Sequence, residues 1–186
     1  MRTVWIAVAV LLALGLGAVV TFNRLVRQRN LVREGWSGID VQLKRRSDLI
    51  PNLVETVKGY AAHEHGVFEE VTARRAASAG VAAVPAKAEA ERALQGAVGR
   101  LIAVAEAYPQ LKADENFRAL QDQLAEIEDQ LQMARRYYNG TVRDLNTLVQ
   151  SFPTALIAGP FGFRAEPFFE LDDRAAAAAP KVAFGG

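Results

Sequence analysis

Three groups of side chains in this sequence could do chemistry, and spacing decides what each is good for. His63 and His65 flank Glu64, a trio with the donor types of a metal site. On a helix, residues two apart point about 200° away from each other, whereas a helical zinc pair sits four apart. The spacing therefore predicts polar-face histidines and no metal ligands. Lys44-Arg45-Arg46 could meet a lipid headgroup, but the plainer role is a solvated face with Arg46 paired to a carboxylate on a facing helix. Asp40, one helical turn before Lys44, is a local partner. Tyr137, Tyr138, Asn139 and Asn146 bring polar tips near an apolar seam. A buried Asn or Tyr must find a hydrogen-bond partner, so these residues are expected to set which helix faces which.

What is missing narrows the chemistry further. The chain has no cysteine, which removes thiolate nucleophiles, disulfides, sulfur-ligated metals and cysteine-borne lipid anchors together. No Gly-rich phosphate loop, nucleophile elbow or convergent acid pair is legible. The sequence thus assigns no catalytic, cofactor-binding or metal residues, and a non-enzymatic protein without a cofactor is expected. With 22 Lys+Arg against 21 Asp+Glu, it lacks the basic excess of a nucleic-acid binder, so no nucleic-acid partner is expected.

The elements that carry these residues begin with an uncharged stretch from Val4 to Phe22, preceded by Arg2 and followed by Arg24, Arg27, Arg29 and Arg33. About nineteen helical residues reach roughly 28 Å, close to the thickness of a bilayer's hydrocarbon core. Residues 4–22 are therefore expected to be a retained transmembrane anchor in contact with the lipid bilayer. The alternative, a cleaved signal peptide, has an apolar region of only about 7 to 15 residues. The arginine excess after the span places the remainder of the chain in the cytoplasm.

Beyond the span, Trp36, Ile39, Leu43, Ile50, Leu53, Val57, Tyr60, Val67 and Val71 follow alternating steps of three and four, with Arg46 and Glu64 at the two intervening positions. That heptad seam predicts a helix from about Phe22 to Arg75, with continuity into the membrane span as one option. Pro51 should kink or break it near Asp48 to Asn52, or else restart it with Asp48 as the cap. Ser78 to Pro85 reads as a loop. A second helix should run from near Ala86 to Tyr108 on Leu94, Val98, Leu101, Ile102 and Ala105, ended by Pro109. Asp114 is the expected N-cap of a third helix. Its face is Phe117, Leu120, Leu124, Ile127, Leu131, Ala134, Tyr138, Val142, Leu145, Leu148 and Phe152, with Leu124, Ile127 and Leu131 all buried.

Phe152, Phe161, Phe163, Phe168 and Phe169 then crowd a segment punctuated by Pro153, Pro160 and Pro167. The expected role is a strap across the helices, with an exposed membrane or partner contact as the alternative. The expected organisation is an anchor at 1–23, a helical bundle at 24–152, the Pro/Phe-rich strap at 153–173 and a disordered Ala-rich tail at 174–186. The fold class is all-α: one N-terminal transmembrane helix and an elongated antiparallel helical bundle.

Four segments carry a family resemblance: W-S-G-I-D-V-Q-L-K-R-R-S-D-L-I-P-N-L-V-E-T-V-K-G-Y (Trp36 to Tyr60), A-Y-P-Q-L-K-A-D-E-N-F (Ala107 to Phe117), E-I-E-D-Q-L-Q-M-A-R-R-Y-Y-N (Glu126 to Asn139) and F-P-T-A-L-I-A (Phe152 to Ala158). With His63-Glu64 and the N-terminal span, the chain resembles the LemA family of bacterial membrane-anchored proteins. The resemblance implies the same anchor and antiparallel bundle, and no catalytic residues. It also implies an association with a membrane-bound heat-shock metalloprotease as partner, and with membrane remodelling.

The functional expectation is a single-pass scaffold or adaptor of the bacterial inner membrane, its bundle in the cytoplasm. Val41, Leu49, Val54 and Phe68 are apolar but off the seam of the first helix. Surplus apolar surface of that kind predicts a homo-oligomer. The alternatives are a protein that deforms membranes by inserting Phe161 to Phe169 into lipid, and a regulatory partner of a membrane metalloprotease.

Overall fold

Apolar residues at helical spacing recur in nearly every segment, and the secondary structure follows them. The computed structural model describes residues 1–171. They form α1 (Arg2–Lys58), α2 (His65–Ala79), α3 (Val84–Glu106), α4 (Pro109–Ala113), α5 (Glu115–Gln150) and α6 (Ala155–Ala158). The fold is all-α, and there is no strand among the described residues. The segment 174–186, expected to be a disordered tail, lies outside them. The chain divides into two compact units, and α1 and α5 each contribute residues to both.

The first unit joins Met1–Arg46 with Ala125–Phe168. Gln28 Nε2 donates to the Thr141 carbonyl at 3.1 Å, the Trp36 and Tyr138 rings lie 5.6 Å apart, and Arg46 meets Glu128 at 3.1 Å. Residue numbers rise along α1 as they fall along α5, so the two helices run antiparallel in this unit. Its core includes Leu25, Val32, Ile39, Leu43, Ile127, Leu131, Tyr138, Val142 and Leu145. Arg46 takes a core position of the seam because Glu128 neutralises it, as a buried cation requires.

The second unit is built from Ser47–Leu124 with residues 169–171. One cluster holds it together: Ile50, Leu53, Val54 and Val57 of α1, Phe68 and Val71 of α2, Leu94, Ala97 and Leu101 of α3, with Leu111 and Phe117. Asp114 caps α5 by accepting the Phe117 N–H at 2.9 Å, and it also accepts the Tyr60 hydroxyl at 3.0 Å. Those two bonds, the Phe117 N–H first, hold its carboxyl below the ordinary carboxylate range.

Several local expectations are corrected. The helix expected from Phe22 to Arg75 is neither broken nor restarted at Pro51: α1 passes through the proline, and the chain leaves the helix at 59–64 instead. Pro51 has no N–H for the Ser47 carbonyl one turn back, and Arg75 Nε supplies that donor at 2.8 Å. Gly59, a poor helix former, marks the true end. The loop expected at 78–85 contracts to 80–83, because Pro85 sits in the first turn of α3, where its missing donor costs nothing. Pro109 likewise opens α4 as well as ending what precedes it. Leu124 is half-buried, and Tyr60 and Phe152 are exposed. Of the off-seam residues, Val54 and Phe68 are core and Leu49 is half-buried, leaving Val41 exposed.

Candidate functional site

The residues singled out for chemistry do not converge. His63 lies in the turn after α1 and His65 opens α2, both exposed, so the pair does not share one helix as the spacing argument assumed. Among the described residues no three His, Cys, Asp or Glu side chains gather as a metal site would require. Lys44 and Arg45 are solvated, while Arg46 is the buried partner of Glu128.

One polar cluster escaped the sequence reading. In the second unit Ser78 Oγ donates to Glu91, and Lys87 Nζ lies 3.3 Å from the same carboxylate and donates to the Ser78 carbonyl at 2.9 Å. A serine beside a lysine can be a nucleophile and its base. Here all three side chains are buried and the lysine is held by both groups, so the cluster works as a clip across the turn between α2 and α3. The i, i+4 spacing of Lys87 and Glu91 was legible; the approach of Ser78 depends on the turn.

The polar residues late on α5 act on the strap. Asn146 reads the Glu166 backbone both ways, accepting its N–H at 2.8 Å and donating to its carbonyl at 2.9 Å. Tyr138 donates its hydroxyl to the Pro167 carbonyl at 2.9 Å. Burial, reinforced by the Glu166 charge, pushes that phenol up to about 12. In the second unit Arg92 holds the carbonyls of Glu170 and Leu171, both at 3.1 Å. Residues 166–171 thus lie on the helices as a strap. The stretch before it, 152–161, leaves Phe152, Leu156 and Phe161 exposed.

That stretch meets α1 where its exposed apolar start gives way to covered residues. The start of α1 is long and apolar enough to cross a membrane, and none of that stretch is buried. Within it the Thr21 hydroxyl satisfies itself on the Gly17 carbonyl at 2.8 Å. Coverage begins at Thr21 and Phe22, and Leu25 is fully buried. Continuing the antiparallel register of the first unit brings the end of α5, Gln150, level with Phe22. The chain then turns through α6 and a Schellman closure, in which Phe163 N–H bonds to the Ala158 carbonyl at 2.9 Å and Gly162 N–H to the Gly159 carbonyl at 3.1 Å. Gly162 has φ +72°, a conformation that a side chain would strain.

This closure sends neighbouring phenylalanines opposite ways. Phe163 is only 4% exposed, with its ring 5.7 Å from Phe22 and 4.8 Å from the Arg29 guanidinium. Phe161 is 63% exposed, yet its ring meets Phe22 edge-on at 5.1 Å. Phe152 and Leu156, in the same turn, are 83% and 67% exposed. An apolar rim therefore stands beside the last turn of the candidate span. That Phe161 and Phe163 flank a glycine was visible in the sequence; which rings face outward was not, because it depends on the positive φ of Gly162.

Residues 35–184 match the profile of the LemA family. Similar proteins include the magnetosome protein MamQ of Magnetospirillum gryphiswaldense, 24% identical over 174 residues, a match covering 80% of this chain and 64% of the relative. The magnetosome proteins MamQ 1 and MamQ 2 of Paramagnetospirillum magneticum are each 24% identical over 175 residues with the same coverages. The chain thus spans about 64% of the length of these relatives. The exposed apolar start of α1 and the family match together support membrane association.

Proposed function

Because this chain belongs to the LemA family, we propose that it is a non-enzymatic scaffold or adaptor, anchored in the bacterial inner membrane and assembled side by side with its own copies. The observation that carries the reading is the continuity of α1: one helix of 57 residues leads from the candidate span into the helical units without a linker. An anchor of that kind holds every copy in one plane and one orientation, which raises the effective concentration of neighbours and restricts them to lateral contacts. Val41 on α1 and Met133 and Tyr137 on α5 are exposed apolar residues of the first unit that such contacts could cover.

The full chain, extracted in mild detergent and measured by light scattering with the detergent subtracted, should give a multimeric mass that Val41→Glu or Met133→Glu lowers. A strictly monomeric mass across micromolar concentrations would remove self-assembly from the proposal. Orientation follows from Arg24, Arg27, Arg29 and Arg33 just after the span. A reporter fused after Gly186 should be active in the cytoplasm and silent in the periplasm.

A further inference from the structure

We infer that the turn carrying Phe152, Leu156 and Phe161 is a second membrane contact, seated in the headgroup–acyl boundary of the leaflet from which α1 emerges. Depth is the argument. Phe22 is the last residue of the apolar stretch, and Phe161 packs on its ring at 5.1 Å while staying largely exposed. Wherever the end of the span sits in the bilayer, Phe161 sits at the same level. Phenylalanine and leucine side chains on a surface element that faces lipid bury about 5–10 Å into that boundary.

Composition agrees with depth. Phe152 and Leu156 expose more of their surface than Phe161 does, on the side chains of a turn fixed by backbone hydrogen bonds to Ser151, Pro153 and Thr154. Arg24 and Arg27, both exposed, follow directly on α1 and suit the phosphate layer. The occupant is thus the phospholipid interface, and the contact goes beyond anchoring: it fixes how the first unit is rotated about α1, since only one side of the helix carries the turn.

The inference rests on the proposal that α1 crosses the bilayer, and the test separates the two. The chain has no cysteine, so single cysteines at positions 12, 129, 152, 156 and 161 can each carry an environment-sensitive fluorophore. The full-length protein is reconstituted in phosphatidylcholine–phosphatidylglycerol vesicles, and quenching by iodide in water is compared with quenching by lipids spin-labelled at the headgroup or deep in the chain. The Leu12→Cys probe reports the anchor and should respond to the deep label. Probes in Phe152→Cys, Leu156→Cys and Phe161→Cys should shift to the blue, lose iodide quenching and respond to the shallow label. The Asp129→Cys probe, on an exposed position of α5 level with Arg46, should respond to iodide alone. If position 12 is deep while 152, 156 and 161 behave like 129, the contact does not exist and the anchor stands. If these three are shielded from iodide but respond to no lipid label, protein covers the turn and the inference is overturned. A position 12 that no lipid label reaches would refute the anchor itself.

Discussion

Arg75 Nε donates at 2.8 Å to the carbonyl of Ser47, the oxygen that Pro51 leaves without its helical donor. A proline inside a helix removes one hydrogen bond and crowds the preceding turn. In α1 a side chain from α2 fills the vacancy, which lets one helix carry the seam from the span through Val57. The exchange predicts a coupling. Arg75→Ala should lower the stability of the second unit by about 1 kcal/mol, the usual net worth of a partly buried hydrogen bond. In a Pro51→Ala background the new N–H at position 51 satisfies Ser47, and the same arginine substitution should cost clearly less. Denaturant midpoints of the four proteins in mild detergent measure the cycle. Equal costs in both backgrounds would show that Arg75 does not substitute for the missing donor.

Tyr138 supplies a pH-dependent counterpart. Burial is the main cause that raises its phenol to about 12 from the ordinary 10.0, with the Glu166 charge second. A group raised in the folded state contributes stability that is complete below the unfolded value and drains as the pH climbs through the folded one. Stability should therefore fall between pH 10 and 12 for this reason. Tyr138→Phe keeps the ring beside Trp36 but removes the bond to the Pro167 carbonyl. It should cost about 0.5–1.5 kcal/mol at neutral pH and flatten the alkaline decline. Thermal melts of both proteins from pH 7 to 11 test this, and an unchanged alkaline slope in Tyr138→Phe would assign the decline to other groups.

The features legible in the sequence were those that depend on period and type. Ile39, Leu43, Arg46, Ile50, Leu53 and Val57 sit in the core at the positions the seam assigned, and Asp114 caps α5 as its place before Glu115 implied. The errors have a common origin in contacts distant along the chain. Local pattern at Pro51 allows a break or a restart, because Arg75 cannot be seen from it as the remedy for the missing donor. Asn146 and Tyr138 looked like register devices between helices because nothing in their own helix announces Glu166 and Pro167 as partners. The phenylalanine-rich segment combines both expected roles and divides at Gly162: the rim before it faces out, and Phe163 turns in. A glycine with positive φ is a local property, but its consequence for neighbouring rings emerges only once the helices are in place.

The closest test of helix packing in the first unit uses two glycines three residues apart on α1. A Cβ added at Gly35 would meet the Tyr138 Cα at 3.0 Å and Tyr137 Cδ1 at 3.3 Å, whereas one added at Gly38 would meet nothing within 4 Å. Alanine is favoured over glycine inside a helix by about 1 kcal/mol. At Gly38 that gain should appear intact, so Gly38→Ala should raise the denaturation midpoint. At Gly35 the obstacle is backbone, which cannot rotate aside, and overpacking of this kind costs about 1–3 kcal/mol. Gly35→Ala should therefore lower the midpoint in spite of its better propensity, and the two variants should move in opposite directions. The same glycine lets Trp36 approach the Tyr138 ring at 5.6 Å, so Gly35→Ala should also change tryptophan emission while Gly38→Ala leaves it alone. Stabilisation by both alanines would mean that α1 and α5 are not in close backbone contact at this level.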